Sequence, residues 1–480
     1  MRFFYFIAPF DLRVIAMNLA KAMQLMGAIL TVPLLAALMF GESRFAFLFS
    51  ALAAGSWLTG LCLVKLLPNT PDLEVREALV VTALAYLIFA LIGAVAFLPA
   101  ASFIDSFFEA MSGITTTGLS VLDVEMLPMS LVFFRAYSQW LGGIGIVVLS
   151  VVVLIGPGKT AHQLYAAEFS KENLLGSVIA TARLVTKIYV ALTAIGFLVF
   201  FVAGMRPFDA LLHIMTTLST GGFSHFPQSI GYYKANIFIR IAVMFFMVLG
   251  AINLSLYYFV RLGGIKRFFK NHEVIVLTSL ILLGTLIFWG FTGFNLQSLA
   301  DSMFNTITSI TTTGFNVDEP AGWNGQTKFL SACLMTIGGT TCSTAGGVKI
   351  FRLVIIMKLV FWLFKRMILP EETKLAIKFG NLPVTDDDIK QIFGLLVLYF
   401  CLLVGSTLIF SGAGFAVVDA FFESASALGT VGLSSGITSA GLAPALKGVL
   451  IFNMWSGRLE ILPVLIALYP GTWFCRRKAT

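Results

Sequence analysis

Four stretches of this chain read alike: IDSFFEAMSGITTTGLS (104–120), FDALLHIMTTLSTGGFS (208–224), ADSMFNTITSITTTGFN (300–316) and VDAFFESASALGTVGLS (418–434). In each, an aspartate (Asp105, Asp209, Asp301, Asp419) stands thirteen residues before a glycine (Gly118, Gly222, Gly314, Gly432). A hydroxyl residue stands six before that glycine: Ser112, Thr216, Thr308 or Ser426. Phe108, Leu212, Phe304 or Phe422 stands ten before it, and Ser120, Ser224, Asn316 or Ser434 two after. Low-complexity accident does not give four matches in one register. The apolar part of each copy (Ile104–Ile114, Phe208–Leu218, Leu299–Ile310, Val417–Leu428) makes roughly 17 Å of helix, half a bilayer. A half-length helix enters and leaves on one side, and its return segment survives at membrane depth only inside protein or against a water-filled cavity. Four such segments point to a pore.

The surrounding sequence supplies the membrane. Of 480 residues, 58% are hydrophobic and only 12% charged, with a mean hydropathy of +0.93. A soluble domain carries about 25% charged residues, so a soluble enzyme and a disordered scaffold are both excluded. Apolar runs recur at Ala22–Phe40, Phe45–Val64, Ala78–Pro99, Leu131–Ile155, Ile188–Ala203, Ile237–Val260, Val274–Phe291, Phe329–Phe364 (interrupted), Ile392–Phe410 and Gly448–Leu468. Most reach the ~20 residues that cross the hydrocarbon, which predicts ten spans. Each short stretch lies in a unit of span, short helix, glycine loop and span, and the first two spans stand outside the repeat. The expected fold is an all-α integral membrane protein. Four parallel span–pore-helix–span repeats surround a central pore in pseudo-fourfold arrangement, with two extra N-terminal membrane helices. The expected divisions are 1–70 for the leading pair, then 71–160, 161–265, 266–385 (with a broken second helix) and 386–480 for the repeats.

Selective passage of a dehydrated cation needs a ring of carbonyl oxygens that replaces its hydration shell. Aiming carbonyls inward takes unusual backbone dihedrals, which glycine tolerates. A half-helix also turns its partial negative end toward the cavity. The four aspartates fall at the opposite end. They are expected to cap the pore helices at the N-terminus, where Asp accepts free N–H groups, rather than to ligate ions directly.

On these residues the chain resembles the Trk/Ktr/HKT superfamily of potassium transporters, and its two leading spans are most similar to the TrkH/TrkG branch. The resemblance implies K+ as the transported ion. It also implies filter carbonyls from Thr116, Thr117 and Gly118; Thr220, Gly221 and Gly222; Thr312, Thr313 and Gly314; and Thr430, Val431 and Gly432. In that family a glycine in all four filters goes with potassium preference and a serine in the first with sodium permeation; this chain has Gly118. Thr430-Val431 departs from the triple threonine, so fourfold symmetry is approximate.

The eighth apolar run, Ser331 to Phe364, is too long for one crossing, and its middle reads GGTTCSTAGGVK (Gly338 to Lys349). Non-helical backbone there must line a cavity. Gly338, Gly339, Thr340, Thr341, Cys342, Ser343, Thr344, Ala345, Gly346 and Gly347 read either as a flexible gate beneath the filter, as the resembling family has at this place, or as a close-packing kink. Ten consecutive small or polar residues favour the gate. Arg458 and Glu460 interrupt the last span. An intramembrane charge normally faces a pore or a partner, and the alternative is a structural ion pair or a snorkelling end. By analogy with the family, Arg458 is expected under the filter as a barrier, within reach of the Gly338–Gly347 loop.

Weaker signals are structural. Gly142, Gly143 and Gly145 imitate a dinucleotide fingerprint but begin a membrane span, so close helix packing is expected. His213 takes the slot of Glu109, Asn305 and Glu423, which suggests a pore-helix surface and not a metal site. The five cysteines have neither zinc spacing nor an even count. The apolar hexamer Phe3 to Ala8 is interrupted by Asp11 and Arg13, and no signal peptide is expected. No nucleophile–base pair stands out, so the chain is not read as an enzyme, and no organic cofactor is expected on it.

The net charge of +8 imitates a nucleic-acid binder, but topology accounts for it. Basic residues cluster in alternate loops, at Lys159 to Lys187, Arg261 to Lys270, Lys365 to Lys390 and Arg476 to Lys478, a face that the positive-inside rule makes cytoplasmic. The outer half is net acidic, which concentrates cations at its mouth. The expected setting is the inner membrane of a bacterium, with both termini cytoplasmic, filters facing outward, membrane lipid around it and no nucleic-acid partner. The resemblance implies a homodimer carrying cytosolic, nucleotide-binding TrkA-type regulatory subunits. A proton- or sodium-coupled secondary potassium transporter is the alternative, though such folds usually use inverted repeats and these run parallel.

Overall fold

The computed structural model describes residues 10–67, 71, 73–154, 178–258, 264–370, 377–379 and 382–474. The N-terminal hexamer, the division at 160/161, and Lys159, Arg261, Arg476, Arg477 and Lys478 lie outside these residues.

The chain opens with α1 (Leu12–Ile29), α2 (Thr31–Met39) and α3 (Ser43–Leu66). Helix α1 starts where the Asp11 carboxylate accepts the Arg13 amide at 2.9 Å. Helices α1 and α3 approach closely at Gly27 and Gly60, where a Cβ would lie 2.7 Å from the Ala53 carbonyl oxygen and 2.5 Å from that of Ala20. Small residues at a crossing are how membrane helices gain van der Waals contact without a hydrophobic driving force.

Four units of like composition follow. The first is α4 (Val75–Phe97), α5 (Phe103–Ile114) and α6 (Met129–Leu154); the second is α7 (Val178–Val202), α8 (Pro207–Leu218) and α9 (Ile237–Ala251). After the short α10 (Ile265–Phe269) come α11 (His272–Phe291), α12 (Leu296–Ile310), α13 (Gly325–Ile337) and α14 (Ile350–Ile368). A two-residue hairpin, β1 (Lys378–Phe379) against β2 (Leu382–Pro383), leads into α15 (Asp386–Gly412), α16 (Val417–Leu428), α17 (Pro444–Arg458), α18 (Leu462–Leu468) and α19 (Pro470–Phe474). Each short helix packs on its own unit's flanking helices and also on the first α-helix after the glycine loop of another unit: α8 on α6, α12 on α9, α16 on α13 and α5 on α17. The contacts run in a closed cycle.

Among the described residues, six helical stretches are long and apolar enough to cross a membrane, and the bent pair α17–α18 makes a seventh. The ten apolar runs differ from these for local reasons, and the fourth, in α6, reaches Ile155, outside the described residues. Helix α9 has 15 residues, the eighth run divides into α13 and α14, and the last run bends by 118° between Arg458 and Leu462. Glu460 and Ile461 at that bend take φ of 58° and 67°.

The four aspartates are not the caps of the short helices, contrary to expectation. The capping positions belong to Ser102, Arg206, Asn295 and Ala416. Asp105, Asp209 and Asp419 stand within the first turn, still near the positive dipole end, and Asp301 lies further in. All four helices start before their aspartate, three of them also before the apolar stretch, and the carboxylates are instead taken by side chains across helix boundaries. Lys447 of α17 holds Asp105, Arg240 of α9 holds Asp301 at 2.5 Å, and Lys328 of α13 holds Asp419 at 2.7 Å. All three cations are the fourth residue of their helix, and each reaches the short helix of the next unit in the cycle. In α6 that position is Val132; Asp209 takes His225 at 3.0 Å and the Tyr233 hydroxyl at 2.9 Å instead.

Candidate functional site

All four short helices end four residues before their glycine, at Ile114, Leu218, Ile310 and Leu428. Two residues before the glycine, Thr116, Thr220, Thr312 and Thr430 take φ of 51–53°, and the glycines themselves take 90°, 72°, 86° and 99°. Left-handed conformations are costly for threonine, and such strain clusters at functional sites. Alternating them with ordinary residues turns successive N–H groups to one side and leaves the carbonyls on the other.

The N–H side faces back to the short helix. The amides of Thr117, Gly221, Thr313 and Val431 donate to the carbonyls of Ser112, Thr216, Thr308 and Ser426 at 2.8–3.0 Å. Gly118 and Gly432 donate to the hydroxyls of Ser112 and Ser426, each at 3.1 Å. The hydroxyl residue that recurs six places before each glycine is therefore the anchor of the loop.

The loops close on one another. A Cβ on Gly118 would overlap the carbonyl oxygen of Gly221, one on Gly222 that of Thr313, one on Gly314 that of Val431, and one on Gly432 that of Thr117. The four contacts return to their start, so the loops form a ring. Among the twelve residues 116–118, 220–222, 312–314 and 430–432, only the Gly221 carbonyl accepts a hydrogen bond from the described protein, from Gln139 Nε2 at 2.7 Å. Nine of the twelve residues are buried, and buried carbonyls are almost always paired, so the unshared acceptors gathered in this ring are a departure with chemical meaning. Such a ring can replace the water around a cation.

The return of each loop is braced against its own helix. Ser120 donates to Glu109 at 3.0–3.1 Å, Ser434 to Glu423 at 2.9 Å, and the Ser224 hydroxyl meets His213 Nε2 at 3.2 Å. His213 thus occupies the slot its alignment implied. In the third unit the Asn305 side-chain oxygen has no partner among the described residues. Arg135 joins two loops: its Nε donates to Glu109 at 2.6 Å, its Nη2 to Ser120 at 3.1 Å and its Nη1 to the Ser224 carbonyl at 3.2 Å. Its guanidinium also lies 4.0 Å from the Phe223 ring centroid. Glu109 is fully buried, so Arg135→Met strands a carboxylate and is expected to cost about 3–5 kcal/mol. The measurement is the thermal unfolding midpoint in detergent; a wild-type midpoint would contradict the ion-paired reading.

Beneath the ring, the inner helices share a glycine at their fourteenth position: Gly142 in α6, Gly250 in α9, Gly338 after α13 and Gly457 in α17. In three units it lets the helix touch the last carbonyl of its own short helix, those of Ile114, Leu218 and Leu428. Gly338 instead takes φ of 74° and the helix breaks. The released loop lies against the ring. Gly346 N donates to Thr312 Oγ1 at 2.7 Å, and a Cβ on Gly346 would overlap the Gly429 carbonyl and the Thr430 hydroxyl. Thr344 Oγ1 donates to the carbonyls of Leu218 and Gly250 at 2.9 and 2.8 Å. Thr340 N donates to the Ala251 carbonyl at 3.0 Å, and Thr341 Oγ1 to Glu273 at 2.6 Å. Ser343 donates to the Thr340 carbonyl at 2.6 Å, and Ala345 and Cys342 are buried within the loop. Gly339 and Gly347 are packed too tightly to take a side chain.

Arg458 follows the fourteenth-position glycine of α17, where the other units have Gly143, Ala251 and Gly339. It is 3% exposed. Nη1 donates to the Thr344 carbonyl at 2.7 Å and Nη2 to the Gly142 carbonyl at 2.9 Å, tying the loop to α6. Glu460 turns away to an ion pair with Arg352. Sequence reasoning placed Arg458 and the loop together but missed Gln139, Arg135 and the three cations that hold the aspartates.

A multi-pass helical membrane protein whose glycine loops ring an array of unshared carbonyls is, by class, a membrane cation transporter. The TrkH family of cation transport proteins matches residues 51–471, and the chain belongs to that family. It is 32% identical over 447 residues to the Trk system potassium uptake protein TrkH of Salmonella typhimurium, covering 88% of this chain and 91% of that one. It is 30% identical over 461 residues to an uncharacterized cation transporter of Methanocaldococcus jannaschii, covering 95% of each. The crystal structure of the potassium transporter TrkH from Vibrio parahaemolyticus superposes with a TM-score of 0.85 at 26% identity, covering 97% of this chain and 100% of that one.

Proposed function

We propose that this protein carries K+ into the cell through a channel-like pore on the axis of the four glycine loops. The carrying observation is the closed ring with eleven unshared carbonyls. Residues 116–118, 220–222, 312–314 and 430–432 supply the selectivity filter, with K+ as cargo and no organic cofactor. Each of the units 71–160, 161–265, 266–385 and 386–480 contributes one quadrant, and the segment 1–70 packs outside. The Gly338–Gly347 loop is the gate, and Arg458 is the charge beneath the filter that opposes cation passage. The naming of relatives as potassium uptake proteins supports the choice of ion.

The protein sits in a bacterial cytoplasmic membrane with filters outward and both termini inside, working as a homodimer with cytosolic TrkA-type subunits. The relatives' designation as parts of a Trk system supports the last point. K+ and Na+ flux into proteoliposomes, with and without an imposed proton gradient, tests the reading. The expected result is K+ flux that stops at the potassium equilibrium potential whatever the pH gradient. Flux driven by the proton or sodium gradient would establish a coupled secondary transporter instead.

A further inference from the structure

Gln139 is a polar residue on α6, fully buried, that the proposed gate and barrier do not use. Both ends of its amide are engaged by the second loop. Nε2 donates to the Gly221 carbonyl at 2.7 Å, and Oε1 accepts the Phe223 amide at 3.0 Å. The side chain therefore straddles Gly222 and fixes the backbone on both sides of it.

The internal repeat shows that this is a substitution made as a pair. Register the inner helices by their fourteenth-position glycine, and the eleventh position is Met247 in α9, Met335 in α13 and Met454 in α17, but Gln139 in α6. All four are fully buried. Each of these helices abuts the short helix of the next unit, whose loop carries Thr313, Val431 or Thr117 just before its glycine. Met335 and Val431 belong to one packed cluster. Only the loop facing Gln139 has a glycine there, Gly221.

Gly221 is not needed for backbone conformation, because it does not take a positive φ. Its missing side chain is explained by Gln139: a Cβ on Gly221 would lie 2.5 Å from Oε1 and 2.9 Å from Nε2. Three units pair a methionine with a side chain; one pairs a glutamine amide with a glycine.

We infer that Gln139 is a positioning residue for the second filter loop, matched to Gly221, and that the pair sets K+ over Na+ discrimination by fixing the Gly221 and Gly222 carbonyls. Discrimination depends on how many carbonyls face the ion and how rigidly they are held. Gln139 is the one protein donor to any of the twelve filter carbonyls among the described residues. The inference rests on the filter reading above.

The test uses the full chain in proteoliposomes and reads the K+/Na+ permeability ratio for Gln139→Met, for Gln139→Met combined with Gly221→Thr, and for Gly118→Ser. Two buried hydrogen bonds are lost in Gln139→Met, so the ratio is expected to fall about tenfold. The double variant restores the pairing that the other units use and is expected to regain most of the ratio. An unchanged ratio in Gln139→Met, with or without a lower unfolding midpoint, would overturn the inference, as would a double variant no better than the single. If Gly118→Ser alone moves the ratio, the Gln139 inference falls and the filter reading stands. If neither Gly118→Ser nor Gln139→Met moves it, both fall.

Discussion

Gly314→Ala is expected to abolish K+ uptake while leaving a folded, membrane-inserted protein. The glycine takes φ of 86°, and a Cβ there would overlap the Val431 carbonyl and approach the Gly432 Cα at 3.2 Å. The left-handed conformation alone costs an alanine roughly 1–2 kcal/mol. The overlap adds to this and is relieved only by spreading two neighbouring loops. A ring that has opened by a few tenths of an ångström no longer holds its carbonyls at ion-ligand distance. Strain of about 3 kcal/mol in the conducting state corresponds to a loss of more than a hundredfold, measured as K+ or Rb+ uptake into proteoliposomes. The far side of the protein is untouched, so the unfolding midpoint separates this result from misfolding. Wild-type uptake in Gly314→Ala would mean that the loops do not close around the ion path.

Arg458→Gln is expected to raise K+ flux. The guanidinium contributes a unit charge beneath the ring and donates to the Thr344 carbonyl of the loop and to the Gly142 carbonyl of α6. At an effective dielectric near 20, a unit charge about 5 Å from a passing cation opposes it by about 3 kcal/mol. That corresponds to a rise on the order of a hundredfold when the charge is removed. Arg458→Lys separates the two contributions, because it keeps the charge but loses the planar fork that reaches two carbonyls. An intermediate flux is expected for Lys. Reduced or unchanged flux in a well-expressed Arg458→Gln protein would rule out the barrier and leave Arg458 as a structural clamp.

Much of this arrangement was legible because local chemistry and the repeat agreed. The ends of the short helices at Ile114, Leu218, Ile310 and Leu428 fall where the apolar stretches stop, since the helix must end for the glycine loop to begin. Their starts were less readable. Leu296 lies three residues before the apolar stretch, because Asn295 begins the helix through its hydrogen bond to Ser298 N. Reading the aspartates as caps failed because the partners of three of them come from other units. Arg240, Lys328 and Lys447 share the fourth position of their helices but not a fixed distance from the filter glycine, since the return loops differ in length. A count along the chain cannot align them. Likewise Gln139 sits in an apolar span, and only the adjacency of α6 to the second unit gives it Gly221 as a partner. The break at Gly338 was visible as composition, whereas its equivalence to Gly142, Gly250 and Gly457 required the helix starts.

A filter built from residues 116–118, 220–222, 312–314 and 430–432 must hold a cation within their ring. Anomalous diffraction from crystals soaked in Tl+, a heavy substitute for K+, tests this most directly. Tl+ peaks are expected on the axis between the four loops, at carbonyl-ligand distance from more than one loop, and are expected to be lost when K+ is added in excess. Peaks displaced by K+ that lie only at a helix interface outside the ring would contradict it.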